Sequence, residues 1–405
     1  MTRRIAVIGG GVIGCSVAWH LASRGAGEVV LLERDRLGSG TTWHSAGNIL
    51  WTPDDARDAP LRYMIDEVIP RVAEEGEQDT GWLLTGRLFL ARTAATLARL
   101  TAQAEEAARR GVDSRLLEDH EIARFNPLLD TSQVAGCWFN GKVGRLNPAD
   151  LTAAFARAAR RRGATILEGR AVTGFEVGGG RLAAVRTSEG PVAADVAVVC
   201  GGLWSRRLLE PLGISLGQWG CEHFYAIART EHRLPRETPS FISGDDSIYG
   251  REEVGGLLFG AFDEDALTLD GGAPPDDFSF SLLPENWEKF GPYAERAAEL
   301  FPCLKTAPIT RFVNGPETFT PDGLPLIGPI AGIEGLHVAS AFNSGGVNQA
   351  GLAGQIVADL VTGAPPRFDA APFDPGRFGD RPRDEAWLRG VVSGSPSAHY
   401  RSLNG

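Results

Sequence analysis

Basic charge is in short supply. Lys and Arg together number 40 against 51 Asp and Glu, for a formal net charge of −11 at pH 7. A surface of that sign repels phosphate backbones, so nucleic acid is excluded as a partner. Lysine occurs only at Lys142, Lys289 and Lys305; so strong a bias towards arginine reads as genome composition rather than chemistry. Cysteine is sparse and scattered. Cys15, Cys137, Cys200, Cys221 and Cys303 form no Cys-x-x-Cys pair, which excludes a disulfide framework or a thiolate metal site and fits a reducing compartment. No apolar run approaches the roughly 20 residues of a membrane span. The first strand begins by residue 5, too early for a secretory leader, so a cytoplasmic location is expected. No internal repeat is visible.

Glycine, by contrast, is placed with purpose. Residues 5–47 open as an apolar strand, Ile5-Ala6-Val7-Ile8, then a glycine turn, Gly9-Gly10-Gly11-Val12-Ile13-Gly14, then a helix from Cys15 to Ser23. A second apolar run, Val29-Val30-Leu31-Leu32, ends on Glu33. This is the pattern of a dinucleotide site. Gly9 permits the sharp turn off the strand, and Gly11 lets backbone N–H groups approach a pyrophosphate. Gly14 lets the helix pack close to the sheet, and the helix N-terminus faces the negative charge. Glu33, at the tip of the second strand, is placed to accept hydrogen bonds from a ribose. A lone Gly-x-Gly-x-x-Gly is weak; here the strand before it, the helix after it and the acid about 20 residues on supply the context. An acid in that position disfavours a 2′-phosphate, so FAD or NAD is expected rather than NADP.

A chain of 405 residues, 43% hydrophobic and 22% charged, suits two soluble domains. Residues 48–84 read as mostly helical with breaks at Pro53, Pro60 and Pro70, 86–91 and 137–140 as strands, and 93–110 as a helix. Asn147-Pro148 opens a further helix that ends near Gly163. Residues 164–167 and 196–200 are strands, and Gly178-Gly179-Gly180, with no helix behind it, is a hairpin turn rather than a phosphate loop. From 216 to 310, aromatic residues sit on short alternating runs, as in an antiparallel sheet with one wet or ligand-facing side, and 284–303 reads as an amphipathic helix. Asn314-Gly315-Pro316 and Thr320-Pro321-Asp322-Gly323 are turn signals. A strand over 336–341 runs through Asn343-Ser344-Gly345-Gly346 into a helix over 347–361, a second corner whose helix start faces a negative or carbonyl group. Residues 364–405, rich in Pro, Gly, Arg and Asp, read as an extended tail with little core. The fold class expected is α/β. A Rossmann-like domain is built from residues 1–84, 145–215 and 310–363, and an α+β substrate domain with an antiparallel sheet from 85–144 and 216–309. The pocket is expected at their junction.

Three segments carry a family resemblance: the glycine fingerprint with Glu33-Arg34; Ser39-Gly40-Thr41-Thr42-Trp43-His44-Ser45-Ala46-Gly47; and Asn314-Gly315-Pro316-Glu317-Thr318-Phe319-Thr320-Pro321-Asp322-Gly323 with Asn343-Ser344-Gly345-Gly346. With them the chain resembles, over nearly its whole length, the flavin half of the dimethylglycine and sarcosine dehydrogenases, within the wider D-amino-acid-oxidase-like flavoproteins. The resemblance implies a two-domain glutathione-reductase/D-amino-acid-oxidase-like fold, with FAD as cofactor and His44 bonded covalently to its 8α-methyl. A neutral imidazole is a competent nucleophile near pH 7, and the bond would raise the flavin's reduction potential. The implied cofactor shell is Gly9, Gly11, Val12, Ile13, Gly14, Glu33, Arg34, Thr41, Thr42, His44, Ala46, Gly47, Val172, Gly201, Trp204, Ser344, Gly345, Gly346 and Val347. The implied reaction is oxidation of the C–N bond of a secondary or tertiary amine, an N-methyl or related amino acid. Hydride leaves to flavin N5 and the imine hydrolyses, which for an N-methyl group is demethylation. A protonated amine cannot give up hydride, so the site must favour the neutral form. Oxygen or an electron-transfer partner takes the electrons. The alternatives are a primary amino-acid oxidase acting on glycine or D-amino acids, and a flavin-binding assembly subunit without turnover.

Monomeric sarcosine oxidases attach flavin through a Cys in the segment before Thr320; the matching position here is Gly315, which favours His44. They also place a Lys near the flavin to assist oxygen, and the comparable run, Gly256-Leu257-Leu258-Phe259-Gly260, has none, which leaves room for a dehydrogenase. Large relatives continue into a folate-binding half; this chain stops in the linking region, so trapping of a one-carbon product on folate is not expected. In Glu222-His223-Phe224-Tyr225 the strand period puts His223 and Tyr225 on one face. The resemblance makes His223 the first choice for base or orienter, although a lone His on an aromatic strand is more often structural. Tyr249 and Arg251, also two apart, could take a substrate carboxylate through the guanidinium fork, or Arg251 could form a surface ion pair. Arg87 and Arg311 are further cations for that role. Arg160-Arg161-Arg162 is a solvated helix end.

Overall fold

The computed structural model describes residues 2–396. Two large sheets organise it. The first has six strands in the order Leu326–Pro329, Leu336–Ser340, Val196–Val199, Arg4–Ile8, Glu28–Leu32, Thr165–Leu167, all pairs parallel except the first. A sheet covered on both faces needs strands apolar on both faces. Ile5, Val7, Val196 and Val198 point into a core shared with helices Val12–Ser23, Pro148–Arg161 and Ala350–Thr362. Ala6, Ile8, Ala197 and Val199 face the opposite way, onto a three-stranded antiparallel sheet of Val172–Gly178, Arg181–Thr187 and Gly190–Ala193. The expected hairpin at the triple glycine joins the first two of these strands. At the dinucleotide corner Gly9 turns with φ +105°, and a Cβ there would sit 2.5 Å from the Cys200 carbonyl oxygen; a Cβ at Gly14 would meet the Gly9 carbonyl oxygen closer still. Strand end and helix nest together because those side chains are missing.

The second sheet has eight strands in the order Ile309–Phe319, Trp219–Ala228, Gly256–Ala261, Ile248–Glu253, Ser240–Ser243, Arg87–Ala91, Gly136–Asn140, Ser114–Leu117. It is antiparallel except where Ser240–Ser243 runs beside Arg87–Ala91. Phe224, Leu257, Phe259 and Phe241 lie on one face and pack on helix Trp287–Leu300 through Phe290, Ala297 and Leu300. The register aligns the other face across strands: Gly315 stands opposite His223, Tyr225 opposite both Val313 and Gly260, and Tyr249 opposite Gly260. No helix among the described residues is long and apolar enough to cross a membrane.

Three expectations are corrected. Residues 310–319 belong not to the Rossmann-like domain but to the second sheet, in strand Ile309–Phe319, so the boundary expected at 310 falls inside a strand. Asn314-Gly315-Pro316 is therefore mid-strand rather than a turn. The strand is an edge, where a proline without an N–H is tolerated. Pro60 and Pro70 do not break the helical segment, which runs as α-helix Asp55–Arg62, π-helix Tyr63–Val68 and α-helix Ile69–Gly76. The Ile69 N–H donates five residues back to the Met64 carbonyl. That widened turn gives room just ahead of Pro70, which has no N–H to offer. The tail over 364–405 is not extended throughout: helix Glu385–Val392 buries Leu388 and Val392 against Trp219 and Phe319. Two apolar residues four apart make a signal too short to stand out among Pro and Gly. Residues 397–405 of that expected tail lie outside the described residues.

Candidate active site

A cavity of about 520 Å³ lies at the carboxyl ends of the first sheet's strands. Of the expected shell, its wall holds Gly9, Gly11, Val12, Ile13, Glu33, Arg34, Thr41, Thr42, Val172, Gly201, Trp204, Ser344, Gly346 and Val347. Gly14 is not on the wall; its place is the helix–strand contact described above. Glu33 is buried, with Oε2 accepting from the Gly10 N–H at 2.5 Å and Oε1 from the Asp35 N–H at 2.8 Å. These bonds fix the carboxylate at the strand tip and leave each oxygen a further lone pair. Burial pushes its pKa above the ordinary carboxylate value. Thr42 Oγ1 accepts from the Val12 N–H at 3.1 Å, which satisfies one of the helix's open donors. The Arg34 guanidinium lies 4.4 Å from the centre of the Trp204 ring.

A second cavity, of about 620 Å³, lies against the inner face of the eight-stranded sheet. His44, Ala46, Gly47 and Gly345 of the expected shell are on its wall, with His223, Tyr225 and Tyr249. Ser45, Glu317, Ser344 and Val347 line both cavities, so the two meet there.

His44 closes the short 3-10 turn Thr42–His44 and is buried, with the Trp43 ring edge-on at 5.6 Å. Its Nε2 has no hydrogen-bond partner among the described residues. Burial pushes its pKa down to about 4, so the ring is neutral at pH 7. Gly315 backs the ring: a Cβ there would lie 2.9 Å from His44 Cγ and closer still to Nδ1 and Cε1. On the neighbouring strand, paired with Gly315, His223 has its Nε2 3.3 Å from Tyr249 Oη, with Phe262 packed against both rings at 5.3 and 5.0 Å. Burial pushes the Tyr249 phenol well above its ordinary pKa, so it keeps its proton. Between the two tyrosines Gly260 leaves space that a Cβ would fill, 2.7 Å from Tyr249 Oη and 2.9 Å from Tyr225 Cβ.

The structure thus brings His44, His223, Tyr225 and Tyr249 to one cavity, and it leaves Arg251 out. Arg251 is buried, but its Nε donates to the Ala46 carbonyl at 2.8 Å, its Nη1 to the Glu252 carbonyl at 2.7 Å, and it pairs with Glu253 at 2.5 Å. It braces the backbone next to His44 and is not on the cavity wall; its ion pair is with Glu253, and its own side chain is buried rather than at the surface. Arg311 is exposed and sits 5.7 Å from the Trp43 ring centre. Arg87 is the buried cation on the cavity wall, with Nε donating to Ser240 Oγ at 2.9 Å. Sequence reasoning gave no role to Glu317, Ile242 or Phe262. The signal for Glu317 was its spacing of two from Gly315, legible only once 309–319 is taken as a strand.

Known proteins bear on this site directly. The family profile described as DAO: FAD dependent oxidoreductase matches residues 4–360. The chain is 32% identical over 396 residues to the mitochondrial sarcosine dehydrogenase of Mus musculus, which covers 96% of this chain and 43% of that protein. It is 33% identical over 387 residues to the 4-methylaminobutanoate oxidase (formaldehyde-forming) of Paenarthrobacter nicotinovorans, covering 95% of this chain and 47% of the relative. The chain therefore spans a little under half the length of these two proteins. Among solved structures, L-proline dehydrogenase from P. horikoshii superposes with a TM-score of 0.81 at 26% identity, over 93% of this chain and 98% of the other. The matched segment contains the glycine corner, His44 and every strand of the second sheet, and the chain belongs to the DAO family of FAD-dependent oxidoreductases.

Proposed function

We propose that this chain oxidises the C–N bond of a secondary or tertiary amine bearing a carboxylate, an N-methyl or related amino acid, and holds FAD covalently through His44. One observation carries the reading: a neutral, buried His44 on the wall of the second cavity, next to Ser45 at the seam, whose Nε2 has no partner among the described residues. A buried polar atom without a partner costs about 1–3 kcal/mol, and a bond to a cofactor atom removes that cost. The rest of the first cavity fits the same cofactor, with backbone amides at the glycine corner for a pyrophosphate and Glu33 at the strand tip for a ribose. The names of the two relatives, a sarcosine dehydrogenase and a 4-methylaminobutanoate oxidase, support the substrate class.

FAD bound here supplies the two-electron acceptor for the amine's C–H. The protein's own residues prepare the amine. The Tyr249 phenol, hydrogen-bonded to His223 Nε2, is equipped to accept the proton of an entering ammonium while its own proton passes to that nitrogen, which leaves the amine neutral. Arg87, in the role weighed for Arg251, meets the carboxylate. Ile242 and Phe262 supply apolar wall that keeps water from the reacting centre. Electrons leave to oxygen or to an electron-transfer partner.

The test is direct. After acid precipitation of the purified protein, yellow colour should stay with the pellet and map to the peptide containing His44, and His44→Ala should release it. Anaerobic titration with sarcosine, dimethylglycine, proline and D-alanine should bleach the flavin with at least one of the N-substituted amines. Release of all flavin from the wild type refutes the tether, and no bleaching by any amine refutes the activity.

A further inference from the structure

Glu317 is buried to 6% exposure on strand Ile309–Phe319, two residues from Gly315 and therefore on the same face of the sheet. It lines both cavities, at the seam. Its carboxylate accepts a hydrogen bond from Ser344 Oγ. Among the described residues no Lys, Arg or His nitrogen comes within 4.0 Å of it. Buried carboxylates are as a rule paired with a cation, because burying a lone charge is costly. None is provided among the described residues, although arginines satisfy many exposed acids elsewhere. The neighbouring imidazole of His44 does not serve, being neutral. FAD does not serve either: its phosphates are anionic and its ring carries no positive charge. An amine substrate, however, enters as an ammonium.

We propose that Glu317 is the counter-ion for the substrate's ammonium, holding the nitrogen at the seam of the two cavities beside His44. The proposal rests on the functional reading above and adds a specificity: the site selects a cationic nitrogen over a neutral group of the same shape. It also divides labour. Glu317 draws the charged amine in, and the Tyr249–His223 pair, on the same face of the sheet with His223 on the neighbouring strand, receives the proton before oxidation.

The experiment uses the FAD-loaded protein and two ligands that cannot be oxidised. Trimethylammonioacetate has a quaternary nitrogen; 3,3-dimethylbutanoate is its isostere with carbon in place of nitrogen and the same carboxylate. Binding is read from the perturbed flavin spectrum, with bound FAD per chain measured in parallel. The wild type should bind the cation at least 10-fold more tightly than the isostere. Glu317→Gln should lose that preference while holding the isostere as before, and Glu317→Asp should retain part of it. A preference that persists in Glu317→Gln overturns the proposal, as does a wild type without preference. Loss of FAD from Glu317→Gln, with both ligands weakened alike, would assign the carboxylate to the cofactor and also overturn it. Failure of the functional reading looks different: the wild-type flavin then bleaches with no amine, whatever the ligand preference.

Discussion

Replacing Gly315 with Ala puts one methyl group against the ring that the proposed tether depends on. The added Cβ would lie 2.9 Å from His44 Cγ and nearer to Nδ1 and Cε1. Atoms of this kind sit comfortably about 3.5 Å apart, so the ring is short of room by roughly 1 Å. It cannot simply step aside, because it is buried and Trp43 stands edge-on to it. Either the ring tilts or the edge strand gives, and overpacking of this sort costs about 1–3 kcal/mol. A nucleophile displaced by about 1 Å loses on the order of 100-fold in rate. Gly315→Ala should therefore still bind FAD, but most of it should leave the protein on acid precipitation, and the melting temperature should fall by a few degrees. A double-mutant cycle isolates the cause: in a His44→Ala background the same substitution should cost less than about 0.5 kcal/mol, because the ring it strikes is gone. Undiminished acid-stable flavin in Gly315→Ala would refute the steric argument, as would an equal destabilisation with and without the imidazole.

Other substitutions probe the rest of the account. His20 is buried, with Nδ1 2.8 Å from the Ser16 carbonyl and Nε2 3.0 Å from Tyr63 Oη, and burial pushes its pKa from 6.5 down to about 4. Between those values the unfolded chain binds more protons than the folded one, so stability is complete above about pH 6.5 and falls as the pH drops towards 4. At about 1.4 kcal/mol per unit the loss approaches roughly 3 kcal/mol. Urea midpoints should follow that curve and become shallower over the same window in His20→Gln, with His44 carrying a similar shift of its own; an unchanged curve in the variant counts against it. Arg87→Met should raise KM for sarcosine by about 10-fold or more, as expected for a lost charged hydrogen bond, and leave KM for dimethylamine unchanged. Equal effects on both amines would remove Arg87 from carboxylate binding. Leu388→Ala, in the helix docked on Trp219 and Phe319, should cost about 2–5 kcal/mol in thermal or urea unfolding, and a cost well below 1 kcal/mol would show that the helix adds little to the core.

The parts legible in the sequence share one property: their signal is local. Strand, glycine turn, helix and second strand with its acid follow one another within residues 5–33, and each glycine's role can be read from neighbours a few positions away. The resemblance placed His44 in the cofactor shell for the same reason, as part of a nine-residue run. Misreadings came where meaning depended on a distant partner. Asn314-Gly315-Pro316 has the composition of a turn, and only pairing with Trp219–Ala228 makes it the middle of an edge strand. In the sequence Arg251, two residues from Tyr249, is the first candidate for a carboxylate and Arg87 a further one. The Ala46 carbonyl, 205 residues away in sequence, takes up the Arg251 guanidinium, whereas Arg87 is placed on the cavity wall.

The amino-acid sequence by itself determined the dinucleotide corner, the two-domain α/β class and the group of side chains from which a site could be drawn, because backbone turns and strand periodicity act over a few residues. The tertiary structure alone decided which face of the second sheet meets the cofactor cavity, that Gly315 and not a side chain lies behind the His44 ring, and that Glu317 is buried at the seam with no cation among the described residues beside it. Burial, pairing and charge compensation belong to groups that meet across the fold, and no stretch of sequence carries them.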